Sequence, residues 1–90
     1  MRVRYLQPAR AAIRHILATL YAEDPEAAAR LVVRFDDAAD RLARFPMLGR
    51  EGKLPGTREL VLAHTPYILI YRLHAGYVEM LDVRHNARGS

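Results

Sequence analysis

Ninety residues with 14 Lys+Arg, 10 Asp+Glu and four His make one small domain, 1–90, with net charge +4 and an isoelectric point near 10.0. Without Cys there is no disulfide framework, no thiolate chemistry and no Cys-ligated zinc, and four scattered His give no expectation of a metal or of any other cofactor. Apolar runs stay short of the roughly 18 residues of a membrane span, and Met1 to Tyr5 lack the apolar core of a signal peptide, so a reducing cytoplasm and no membrane partner are expected.

The chain opens with a β-type segment, Arg2 to Leu6. Pro8 suits a first helical position, and Ile13, Ile16, Leu17 and Leu20 follow the i, i+3, i+4, i+7 rule of an amphipathic helix reaching Glu23. Asp24-Pro25 restarts the chain: Asp caps, Pro opens and Glu26 favours the positive end of the new helix dipole. This second helix is expected to run to Arg44 or Phe45 before Pro46, with Ala28, Leu31, Val32, Phe35, Ala39 and Leu42 as its buried stripe. Asp37/Arg41 and Asp40/Arg44 are spaced for i, i+4 pairing on its exposed side. Residues 46–56 contain three Gly and two Pro and read as loop.

Three short strands follow: Thr57 to Leu62, Tyr67 to Leu73 and Val78 to Val83, the last two joined by a turn at Ala75-Gly76. The second is nearly all apolar and aromatic, as a central strand should be. Glu59 and Glu79 are expected to face solvent. The order is β-α-α-β-β-β, an α+β fold: an N-terminal strand, an antiparallel helix hairpin and a three-stranded antiparallel meander, with the helices on one sheet face.

Charge is unevenly spread. Residues 1–40 hold six Arg against six Asp+Glu, which cancel; residues 41–90 hold eight Lys+Arg against four, which is the whole +4. Three of the four His are in that second half too. A small sheet displaying Arg58, Arg72, Arg84, His85 and Arg88 is a surface suited to an anion such as nucleic acid or an acidic protein segment, although a solvated face carries the same composition. Each residue has a plainer role open to it. Arg58 could pair with Glu59, Glu79 or Glu51, His85 could close the sheet through backbone hydrogen bonds, and Arg72 could lie along Tyr71. Arg50 and Lys53 could be solvated loop charges, and Tyr67 and Tyr71 core residues. The loop glycines lack the strand-to-helix context of a P-loop.

Ala27-Ala-Ala-Arg-Leu31, Leu42-Ala-Arg-Phe-Pro-Met-Leu-Gly-Arg50, Pro55-Gly-Thr-Arg-Glu-Leu60, Pro66-Tyr-Ile-Leu-Ile-Tyr-Arg72 and Val83-Arg-His-Asn-Ala-Arg88 together resemble the RelE/ParE superfamily of bacterial toxins, over almost the whole chain and in the right order. The resemblance implies the toxin of a type II toxin–antitoxin module, a growth inhibitor held inactive by a cognate antitoxin in a higher-order complex. It also implies one of two targets: the ribosome, where an A-site mRNA endonuclease acts, or DNA gyrase, which ParE-like toxins poison.

Cleavage by 2′-OH attack needs an acid, a base and fixed cations for the phosphorane charge. The resemblance places nuclease cations at Glu59, Val61 and Ile68, none of which can serve. His85, Arg88 and Arg58 remain as catalytic candidates if the protein is a nuclease. The ParE-like, non-enzymatic reading is therefore favoured, with Arg58, Arg72, Arg84, His85, Arg88 and Lys53 as target-binding candidates. The nuclease and a non-toxic, antitoxin-binding relative stay open as alternatives.

Overall fold

A computed structural model describes residues 1–86. The elements are β1 (Arg2–Tyr5), α1 (Gln7–Glu23), α2 (Pro25–Arg44), β2 (Arg50–Glu51), β3 (Thr57–Val61), β4 (Tyr67–His74) and β5 (Tyr77–His85). They form one five-stranded sheet in the order β1-β5-β4-β3-β2. β1 runs parallel to β5 and the other neighbours are antiparallel. Arg88, one of the candidates, lies outside the described residues.

Asp24 does two jobs at the helix joint. Its backbone N–H donates to the Leu20 carbonyl at 2.7 Å and ends α1, and its Oδ1 accepts the Ala27 N–H at 3.1 Å and caps α2. The expected dipole complement is present, with Glu26 in the first turn of α2 and Arg41 and Arg44 in the last.

The buried stripe of α2 differs from the expected one. It is Ala28, Leu31, Phe35, Ala38 and Leu42, a 3-4-3-4 spacing, whereas Val32 is 40% exposed. The alternating steps keep the stripe narrow, so Val32 and Ala39 rotate to its flank. Neither Asp37/Arg41 nor Asp40/Arg44 closes as an ion pair.

Leu31, Phe35 and Leu42 pack with Leu69, Tyr71, Val78, Met80 and Val83 of β4 and β5 to form the core. Alternation puts Tyr67, Leu69, Tyr71 and Leu73 of β4 toward the helices and Ile68, Ile70, Arg72 and His74 on the opposite, open face. β5 would follow the same period throughout but for a bulge. Met80 pairs with Tyr71 and Asp82 with Ile70, so Leu81 is the extra residue. The bulge switches the parity of the strand: Val78 and Met80 face the helices before it, Val83 and His85 after it, and Arg84 goes to the open face.

The 46–56 segment is not all loop. Arg50 and Glu51 pair with Glu59 and Arg58 as the two-residue edge strand β2. Gly49 makes this approach possible, because a Cβ there would sit 2.8 Å from the Glu59 carbonyl oxygen and 2.8 Å from the Tyr71 hydroxyl.

Candidate target-binding site

The basic half of the chain forms two clusters, one on each face of the sheet. On the helix side, the Tyr71 hydroxyl accepts the Gly49 N–H at 2.8 Å and donates to the Pro46 carbonyl at 2.7 Å. Arg58 Nη1 donates to the Gly49 carbonyl at 2.7 Å and, at a longer 3.5 Å, to that of Met47. The segment that leaves α2 at Pro46 is thereby tied to β3 and β4 without any carboxylate. Arg58 is accordingly not paired with Glu59, Glu79 or Glu51. Burial raises the Tyr71 pKa above its ordinary value, although the Gly49 N–H and the Arg58 charge pull it the other way.

On the open face the centre is Glu59. It is 6% exposed, contrary to the expectation of a solvent-facing carboxylate. Oε1 accepts from Arg50 Nη2 at 3.2 Å, and Oε2 is ion-paired with Arg84 Nη2, also at 3.2 Å. A carboxylate buried this deeply needs such partners. Burial pushes the Glu59 carboxyl up, but the hydrogen bonds and charges of Arg50 and Arg84 outweigh it, and the pKa lies below its ordinary value. The two guanidiniums come from β2 and β5, on either side of β3 and β4, so the triad crosses the sheet.

The remaining candidates are dispersed. Arg72 is on the open face, on the other side of β4 from Tyr71, opposite Thr57 of β3 and Glu79 of β5. Glu79 is half-buried, and its Oε1 lies 2.8 Å from His74 Nε2. His85 is exposed on the helix side, edge-on to Tyr67 at 5.4 Å. There it lines a groove of about 520 Å³ with Ala12, His15, Ile16 and Leu20 of α1. Lys53 is exposed in the turn between β2 and β3. The structure thus brings Arg84 together with Arg50, which the sequence places in a loop suited to nucleic acid or to solvent, and separates both from Arg58 and His85. The break in alternation at Met80-Leu81 was the available signal for the parity switch that does this. Among the described residues no cluster of His, Cys, Asp or Glu could hold a metal ion, and no helix is long and apolar enough to cross a membrane.

The family model described as ParE toxin of the type II toxin–antitoxin system parDE matches residues 3–89. The chain belongs to the ParE toxin family. Among its relatives, the Y4kP protein of Sinorhizobium fredii is 45% identical over 84 residues, covering 93% of this chain and 86% of that one. Toxin RelE2 of Caulobacter vibrioides is 41% identical over 64 residues, covering 71% and 70%. Two solved structures share the fold. A chain of the chromosomal ParDE system from P. aeruginosa superposes with a TM-score of 0.81 at 22% identity, covering 94% of this chain and 95% of its own. The YoeB/ParE toxin from Agrobacterium tumefaciens gives 0.63 at 16% identity, covering 94% and 98%.

The protein is therefore a type II toxin, and its family implies an antitoxin partner. The segments that carried the resemblance are those that interlock here. Pro46, Gly49, Arg58 and Tyr71 form the helix-side tie, and Arg50, Glu59 and Arg84 form the open-face triad. Much of what identifies this ParE-family chain is thus the framework that holds β2 against the sheet.

Proposed function

We propose that this toxin acts in the cytoplasm as a ParE-like poison of DNA gyrase, as an interaction protein without an active site of its own. The observation that carries the reading is the state of Glu59, Val61 and Ile68, the positions at which the resemblance puts nuclease cations. Glu59 is a buried carboxylate, negative where the nuclease needs a cation, and ion-paired with two Arg. Val61 is an exposed aliphatic residue on the edge side of the sheet, and Ile68 is 2% exposed. None can stabilise a phosphorane. Nor do Arg58 and His85 converge, since Arg58 is engaged with two carbonyls while His85 sits in the groove beside α1.

Purified toxin added to gyrase and relaxed plasmid should inhibit supercoiling and accumulate cleaved DNA. No effect at high molar excess would remove the gyrase reading. Primer extension on translated mRNA after induction is expected to show no A-site cuts; cuts would install the nuclease in its place. Induced cells should stop growing and recover when the antitoxin is supplied, which a non-toxic relative would not do.

The antitoxin is read as an amphipathic segment with acidic residues. It would lie in the apolar grooves along the helices and against the edge of the sheet, with a salt-sensitive affinity. An association unchanged by salt would contradict the electrostatic part of this reading.

A further inference from the structure

The open face of the sheet carries a feature whose unspent donors neither the fold nor the gyrase reading uses. Two arginines from strands on opposite sides of the sheet share one buried carboxylate, and each spends a single terminal nitrogen on it. Their side chains remain 68% and 39% exposed, and each keeps guanidinium donors that Glu59 does not use. A guanidinium is a planar fork that binds phosphate oxygens in pairs, and holding it in place beforehand reduces the entropy lost on binding. The triad has net charge +1 and is flanked on the same face by Arg72 of β4 and by Arg2 and Arg4 of β1. Glu79 is engaged with His74, and Asp82 accepts the N–H of Val83, so the acids of this face are Glu59, Glu79 and Asp82 against five Arg.

We infer that the open sheet face is a phosphodiester-binding surface for duplex DNA, with Arg50 and Arg84 as phosphate ligands and Glu59 as the residue that positions them. A protein partner gains affinity from apolar anchors in desolvated pockets. This face offers few: of the exposed large apolar side chains, Val61 alone belongs to one of its strand positions. A nucleic-acid backbone asks only for spaced cations and donors, which run here across the sheet from β1 to β2. The inference goes beyond the gyrase reading, since the binding is to DNA itself and needs no enzyme.

The test is fluorescence anisotropy of the purified toxin with a labelled 20-base-pair duplex, over a range of salt concentrations. Arg84→Gln and Arg50→Gln should each weaken binding about tenfold and lower the slope of log affinity against log salt by about one. Arg30→Gln, which removes an equal charge from an exposed site on α2, should change it far less. Glu59→Gln separates positioning from charge. It removes a negative charge from the face yet replaces one of the two acceptor oxygens by a donor, so the guanidiniums lose their fixed placement and binding should weaken, with thermal melts checking that each variant is folded. Should Glu59→Gln fail to fold, Arg84→Lys takes its place: it keeps the charge but loses the fork, and should bind several-fold more weakly.

Tighter binding by a folded Glu59→Gln, unchanged binding by Arg84→Lys, or equal losses for Arg30→Gln and Arg84→Gln would each overturn the proposal. So would binding of an acidic peptide where duplex DNA does not bind. Duplex binding without inhibition of gyrase would keep this site and remove the gyrase reading; inhibition without duplex binding would do the reverse.

Discussion

The two faces of this sheet hold the same short segment, Pro46 to Glu51, by different means. On the helix side a buried tyrosine hydroxyl and an arginine satisfy backbone groups, with no opposing charge. On the open side two arginines satisfy a buried carboxylate. The first arrangement sits among apolar side chains, where an unpaired polar atom is costly and few charges are tolerated. The second is at a surface without a covering layer, where arginine stems shield the carboxylate and their heads stay wet. One face is therefore built for rigidity, while the other retains free donors. Arginines close in sequence, such as Arg50 and Arg58, serve separate purposes where strand alternation sends them to opposite sides.

The largest expected effect of breaking this contrast is at Tyr71. Tyr71→Ala removes a fully buried ring and should cost about 3–5 kcal/mol, enough to unfold many domains of this size. Tyr71→Phe keeps the ring but orphans the Gly49 N–H and the Pro46 carbonyl, at about 1–3 kcal/mol. Urea denaturation of the two variants separates the apolar from the polar share. Gly49→Ala is expected to cost about 1–3 kcal/mol, because the new methyl must displace either the Tyr71 ring or the β3 backbone. A melting temperature equal to that of the parent would show that this approach is looser than the geometry implies.

Arg58→Gln sharpens the comparison directly. If its guanidinium serves the Gly49 and Met47 carbonyls, the variant loses about 1–2 kcal/mol of stability while its folded fraction still inhibits its target. Arg84→Gln should show the opposite pattern, a modest change in melting and a large loss of DNA affinity. Lost inhibition by a folded, fully stable Arg58→Gln would show that Arg58 contacts the target.

These contrasts also show why the sequence was readable in part. Both helices, the Asp24-Pro25 joint and the last three strands rest on local signals: capping, proline and periodicity. β2 does not. Two residues in a glycine-rich stretch become a strand only because Gly49 admits Tyr71 and Arg50 finds Glu59, contacts 22 and nine residues apart. The parallel pairing of β1 with β5 joins the two ends of the fold and leaves no short-range mark. Glu59 looked solvent-facing because its second partner, Arg84, is on a strand two places away in the sheet. The facing of Arg84 and His85 turned on a single bulged residue, Leu81, since one extra residue reverses a period of two.

The smallest predicted effect concerns acid. The pKa of Glu59 is lowered in the folded chain, so the folded state holds this proton less tightly than the unfolded chain does. The stability this supplies is complete above the ordinary carboxylate value of 4.5 and is lost as the pH falls through the lowered folded value. The effect is limited because burial of the carboxylate opposes the two arginines, and because Arg50 is largely exposed and its attraction screened. Urea midpoints measured from pH 7 down to pH 3 should fall more steeply for the parent than for Glu59→Gln, which has no proton to gain at that site. High salt should narrow the gap between the two curves, since Arg50 is its most solvent-screened contributor. Parallel curves at low salt would mean that Glu59 is held by packing rather than by its arginines. Arg50 and Arg84 would then be free to move, and the open face would lose its claim to prearranged phosphate ligands.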